Sequence, residues 1–343
     1  MRRRSMLGLA LTVAGLAGLG PPAASSGLHA APPVGVQDRV GGPSGLEILQ
    51  LRPNFYMIGG GGGNVAVQVG GDGVVVVDAG SASSAGAIVE AIKTITSRPI
   101  RYVIDTSADP DHVGGNETLA KAGQTLFTQG GGAGVPADFL GGGASILAAE
   151  PVLRRMSAPS GQRAPYPASA WPSETFDGPR KVLYLNGEGI EILHQPAAHA
   201  DGDAIVFFRR SDVIVAGDIL DTRRFPVIDL ARGGSVQGEI AALRRLVDLA
   251  VSSVPIVSRE EGTLIVPGHG RVSDQLDAAD YRDMVTIIRD RIRDLMQAGK
   301  SLDEIKAAAP TRGYTRRYGS DSGPWTTGDF VEAVYRSLLR DKP

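Results

Sequence analysis

The segment that most constrains this chain is Thr106-Ser107-Ala108-Asp109-Pro110-Asp111-His112-Val113-Gly114-Gly115-Asn116. A strand-like run, Arg101-Tyr102-Val103-Ile104-Asp105, leads into it, and two glycines and an asparagine lead out into a helical pattern over residues 117–122. Three metal-capable side chains, Asp109, Asp111 and His112, are thereby crowded onto one tight loop at the end of a strand. Only three other places offer the same chemistry in a similar setting. They are His199 in Pro196-Ala197-Ala198-His199-Ala200-Asp201-Gly202-Asp203, Asp218 in Val215-Ala216-Gly217-Asp218, and His269 in Val266-Pro267-Gly268-His269-Gly270. Imidazole and carboxylate donors of this kind suit Zn²⁺ and other divalent ions.

The 343-residue chain contains no cysteine, so thiolate metal sites, thiol nucleophiles and disulfides are excluded. Of its 5 histidines, His29 lies in the leader region, and His194 alternates with Ile192 as a sheet residue would. His112, His199 and His269 remain. The N-terminus starts with Arg2, Arg3 and Arg4, continues with a short apolar, glycine-containing run and exits through alanines and serines. That is the form of a secretory signal, and the paired arginines also fit the twin-arginine route. Export predicts a mature N-terminus between about residues 24 and 34, set by those small residues. Intact-mass measurement checks this, and a mature chain still starting at Met1 or Arg2 would refute it. Loss of the three arginines takes the formal charge from −2 to −5. An acidic, exported chain has no electrostatic footprint for nucleic acid, and no membrane insertion is expected once the signal is removed.

Hydrophobic patterning places strands at 47–51 and 55–58, and a hairpin at 64–69 and 74–79 whose second strand, a β-branched run, is buried on both faces. The five glycines at 59–63 precede a strand and lack a Lys-Ser/Thr pair. They read as a loop near the site mouth and not as a phosphate loop. A helix is predicted over 81–95, a strand over 124–128, a helix over 144–156, and strands over 181–185, 190–194, 204–208 and 212–216. The pattern then turns helical from Ser235, with Val251 on its apolar face. A strand over 263–267 follows, then helices over 274–298, from the Ser301 capping box to Pro310, and over 327–339. Strand clusters in both halves with helices outside predict an α/β (α+β) chain folded as a two-sheet sandwich.

The order of motifs resembles the metallo-β-lactamase-fold superfamily, including its glyoxalase II-like branches. Its signature is Thr-His-x-His-x-Asp-His-x-Gly-Gly, then a His, then Gly-Asp, then Gly-His. The resemblance runs from about residue 46 to about residue 270. It implies an αββα sandwich and up to two metal ions. Asp111, His112 and His269 match one metal site unchanged, and Asp218 matches the bridging aspartate. The other site keeps His199, but Ser107 and Asp109 stand where that family has histidines. Asp78 matches an aspartate that supports the metal loop from behind. A third carboxylate makes the pair of sites less positive, which weakens Lewis acidity and favours Fe or Mn beside Zn²⁺. Three states stay open: two ions with an oxygen-rich first site, one ion in the intact site, or none.

The resemblance implies a metal-dependent hydrolase acting on a small-molecule ester, lactone, thioester or lactam, with Asp111 and Asp218 positioning the nucleophile. The alternative is an exported, non-catalytic binding protein on the same fold. The expected organisation is a signal at 1–30, a linker at 31–45, the metallo-β-lactamase-like domain at 46–272, and a helical extension at 273–343 packed on it.

Overall fold

Two β-sheets stack face to face in the computed structural model, which describes residues 37–126, 142–159, 161–253 and 262–340, all within one compact unit, 34–343. The signal expected at 1–30 and His29 lie outside the described residues. The first sheet runs in sequence order: β1 (Gln37–Gly41), β2 (Glu47–Arg52), β3 (Phe55–Gly59), β4 (Val65–Gly70), β5 (Gly73–Val77), β6 (Ile100–Ile104), β7 (Ser145–Ala149) and β8 (Glu174–Phe176). Pairing is antiparallel up to β5 and parallel from β5 to β8. The second sheet has the order β13-β12-β11-β10-β9, from β9 (Arg180–Leu185), β10 (Glu188–Gln195), β11 (Asp203–Phe208), β12 (Val213–Asp221) and β13 (Leu264–His269). Only its β12–β13 pair is parallel.

Side-chain alternation builds the layers. In β5, Val75 and Val77 face the second sheet, meeting Ile190, Val206, Phe208 and Val215, while Val74 and Val76 face the helices outside. All four are fully buried, so the run shows no polar alternation. Burying such a side chain contributes about 1.5–3 kcal/mol. Phe55 and Phe208 join the sheets edge-to-face at 4.8 Å. Outside the first sheet lie α1 (Ala85–Ile95), α2 (Pro110–Val113), α3 (Asn116–Ala122) and α4 (Glu150–Met156). Outside the second lie α5 (Val236–Leu249) and α6 (Gln275–Gln297), then α7 (Leu302–Ala307), α8 (Thr315–Tyr318) and α9 (Thr327–Arg340). Tyr281, Ile288, Phe330 and Val334 of these C-terminal helices share one core with Ile214 and Leu243. The Ser301–Glu304 capping box forms as predicted. Among the described residues no helix is long and apolar enough to cross a membrane.

Several sequence expectations are corrected. Residues 37–41 of the expected linker form β1, because pairing with β2 satisfies their backbone groups. The helix expected over 144–156 is β7 followed by α4. Ile146 and Leu147 point into cores on opposite faces, so a strand buried on both sides mimics an apolar helix. Residues 124–126 of the strand expected at 124–128 are not strand, and 127 and 128 lie outside the described residues, as does most of the following glycine-rich stretch. Val251 falls past the end of α5 and is exposed.

Gly115 shows how tightly the central loop is set against β5. A Cβ there would lie 2.1 Å from the carbonyl oxygen of Ala79. Gly115→Ala is therefore expected to destabilise the fold by about 1–3 kcal/mol through overpacking, measured by denaturant unfolding. An unchanged midpoint would show that the loop can move away.

Candidate metal centre

Strand ends and turns from both sheets meet along one edge of the sandwich. Asp78 follows β5, the Thr106–Asn116 segment follows β6, His199 sits in the turn between β10 and β11, Asp218 lies in β12, and His269 ends β13. The β6 loop is closed at its base by Asn116 Nδ2 donating to Asp105 Oδ2 at 2.9 Å. Pro110 starts α2 inside it, placing Asp111 and His112 in its single turn.

Asp78 organises one side of the centre. It is buried at φ +62°, a left-handed conformation that a non-glycine residue adopts only when held there. Its Oδ1 accepts from Thr106 N at 2.8 Å, and its Oδ2 accepts from Thr106 Oγ1 at 2.7 Å. That Oδ2 also lies 2.7 Å from His112 Nδ1. Facing a carboxylate, which only accepts, His112 Nδ1 is the donor, and this fixes the tautomer. His112 Nε2 is fully buried without a hydrogen-bond partner, 3.2 Å from Asp218 Oδ1. In the neutral ring this nitrogen is an acceptor facing a carboxylate, an arrangement that takes a cation between the two, either a proton or a metal ion.

His269 completes this half. Its Nδ1 lies 2.8 Å from Asp218 Oδ1 and its Nε2 2.9 Å from Asp111 Oδ2. Ligand-type atoms of Asp111, His112 and His269 all fall within 4.8 Å of one another. The residues present thus fit a divalent ion here.

The other half collects Asp109, His199 and Asp218, again within 4.8 Å. His199 Nε2 is 3.2 Å from Asp109 Oδ2, and its Nδ1 is 3.4 Å from Asp203 Oδ1. Ser107 Oγ turns into its own loop and accepts from Asp109 N at 3.2 Å. Arg232 Nη1 donates to Asp109 Oδ1. This half therefore differs from the first. One of its carboxylate oxygens already has a cation, and its serine is spent on the backbone.

Electrostatics follow from burial and from these pairings. Burial alone would lower His199, but Asp203, Asp218 and Asp109 overcome it and push its pKa up to about 10. His112 is likewise raised against burial by Asp218 and Asp78. Burial opposes the ionised form of Asp218, yet His112, His269 and His199 hold its carboxyl well below the usual range. The hydrogen bond from His269 lowers Asp111. The carboxylates that hold protons on these histidines would also attract a metal cation, which must displace those protons to bind.

The family assignment rests on one further finding. Residues 58–269 match the family model described as the metallo-β-lactamase superfamily. The chain belongs to that superfamily. Its members are generally hydrolases and typically bind divalent metals, often zinc. No curated protein matches the chain in sequence. Among solved structures, the chain is similar to the stereoselective inverting sec-alkylsulfatase Pisa1 from Pseudomonas sp., with a TM-score of 0.62 and 16% identity, covering 86% of this chain and 50% of that one. It spans about half the length of that sulfatase. A metallo-β-lactamase from Pontibacter korlensis gives a TM-score of 0.50 at 15% identity, over 70% of this chain and 99% of that one. Identities this low show a shared fold.

In this superfamily member, a cleft of about 880 Å³ opens beside the intact half-site, lined by Leu49, Met57, Gly62, Asn64, Arg223 and Val272. The glycine-rich loop forms part of its wall. Gly63 N donates to Asp111 O at 3.0 Å, and a Cβ on Gly63 would come within 3.0 Å of the His112 ring. Only glycine lets the backbone approach the ligands this closely.

Sequence reasoning singled out Asp78, Ser107, Asp109, Asp111, His112, His199, Asp218 and His269, and the fold brings all of them to this edge. It missed three. Asp203, four residues after His199, was visible in the Asp201-Gly202-Asp203 motif. Arg232 and Glu239 carry no local signal. Glu239 is fully buried without a hydrogen-bond partner, and burial, then Asp203, raises its pKa well above the ordinary value.

Proposed function

We propose that the protein is an exported metallohydrolase that cleaves a small-molecule acyl compound, an ester, lactone, thioester or lactam, with zinc as its metal. The observation that carries this is the buried, partnerless Nε2 of His112, placed where ligand-type atoms of Asp111 and His269 converge beside Asp218. These side chains would hold a divalent ion, which when bound would supply Lewis acidity at the scissile carbonyl and lower the pKa of water. The residues around it do the positioning. Asp111 has a half-exposed side chain and stays ionised, so it can orient a water molecule and accept its proton. Asp218 is partly buried and ionised beside His112 and His269, and orients both rings. Leu49, Met57 and Val272 offer an apolar surface for the acyl group.

The test is metal removal. Chelated protein should lose hydrolysis on an activated ester, lactone, thioester and lactam panel, and added Zn²⁺, Mn²⁺ or Fe²⁺ should restore it. Alkyl sulfates join the panel because a structural neighbour is a sulfatase. Hydrolysis indifferent to chelation would refute the proposal. One observation favours the alternative, an exported binding protein: Asp109 is already satisfied by Arg232. Stable metal binding with no turnover on any panel member would decide for it.

A further inference from the structure

Asp109 is the residue at which this chain departs most from a two-metal centre, because a carboxylate stands where the superfamily resemblance has a neutral imidazole. The fold brings Arg232, 123 residues away in sequence, against that carboxylate. Each change in charge has its counterpart.

The guanidinium is held from behind. Arg232 Nε donates to Asp229 Oδ2 at 2.6 Å, and its backbone N donates to Asp229 Oδ1 at 3.0 Å. Its carbonyl accepts from Arg155 Nη2 at 2.8 Å and from Asp201 N at 2.9 Å. Arg155 is clamped in turn by both carboxylate oxygens of Asp201, at 2.8 and 2.6 Å. A backbone fastened on both sides and a guanidinium fixed at two nitrogens leave little freedom to swing away. Burial would lower the Arg232 pKa, but Asp109 and Asp229 raise it, so the group is always charged.

We propose that the Arg232 guanidinium takes the place of the second metal ion, so that the chain binds one divalent ion, in the half-site of Asp111, His112 and His269. This rests on the metallohydrolase reading of that half-site. An ion entering between Asp109, His199 and Asp218 would meet a carboxylate already half neutralised through Oδ1, with only Oδ2 facing His199, and would sit beside a fixed positive charge. Ser107 is a poor replacement ligand, a neutral hydroxyl whose oxygen already accepts from Asp109 N.

Titration of the metal-free, full-length protein with Zn²⁺, counted by elemental analysis after desalting, tests this without reference to activity. The wild type should hold one ion per chain. Arg232→Gln, which removes the charge at similar size, should hold two, and Arg232→Lys, which keeps it, should return to one. Two ions in the wild type, or one in a folded Arg232→Gln variant, would overturn the proposal. Should Arg232→Gln not fold, the wild-type count decides alone: one supports it and two overturns it. A wild type that binds no ion removes the metallohydrolase reading itself, and with it this proposal, a result distinct from a count of two.

Discussion

His112→Ala is expected to abolish metal binding in the intact half-site and to take hydrolysis to background. The imidazole is fully buried, is held by Asp78 through one nitrogen, and presents the other to the site with no competing partner. The loss should exceed the roughly 10–100-fold drop in affinity that follows removal of a supporting outer residue. A second effect follows in the metal-free protein. Without the ring, buried Asp78 loses its ionic partner and keeps only Thr106, and breaking a buried ion pair from one side costs about 3–5 kcal/mol. Zinc affinity by chelator competition and the unfolding midpoint of the metal-free variant are the two measurements. Wild-type affinity in the variant would remove the case for a metal at this position.

Asp78→Asn is expected to lower metal affinity about 10–100-fold while leaving the backbone in place. Asparagine tolerates the φ of +62° at this position. Its oxygen must face Thr106, whose backbone N–H donates at 2.8 Å and cannot turn round. The amide NH₂ then faces His112 Nδ1, which has to become an acceptor. The ring proton moves to Nε2 and blocks the lone pair that points into the site. Asp78→Ala frees the ring instead of forcing the wrong tautomer, and lacks the Thr106 acceptor, so it should also lose stability. Equal affinity in wild type and Asp78→Asn would show that Asp78 holds the loop alone and does not set the tautomer.

Much of the architecture was legible because it depends on local pattern. The β-branched run at 74–77 can only be a doubly buried strand, and Gly114-Gly115 after His112 marks a loop that must pack closely. The order of acidic and histidine motifs identified the edge at which the two sheets would meet. The patterning failed at residues 145–149, where Ile146-Leu147-Ala148-Ala149 suits a helix by composition and becomes a strand only because β6 and β8 flank it. It failed again at residues 37–41, whose role depends on the exposed edge of β2.

The candidate site divides along the same line. Asp78, Asp111, His112, Asp218 and His269 could be named from sequence because the order and spacing of their motifs resemble those of the superfamily. Ser107 and Asp109 could be seen as departures, but their consequence could not. Arg232 lies in a turn, Leu230-Ala231-Arg232-Gly233, that reads as any solvated basic residue would. Its meaning comes from Asp229 and Arg155 fixing it from outside and from Asp109 receiving it. The candidate ligands were therefore legible in the motif order. The charge state of the second half-site was not, because a guanidinium's effect depends on the distance over which it acts, and only the folded chain sets that distance.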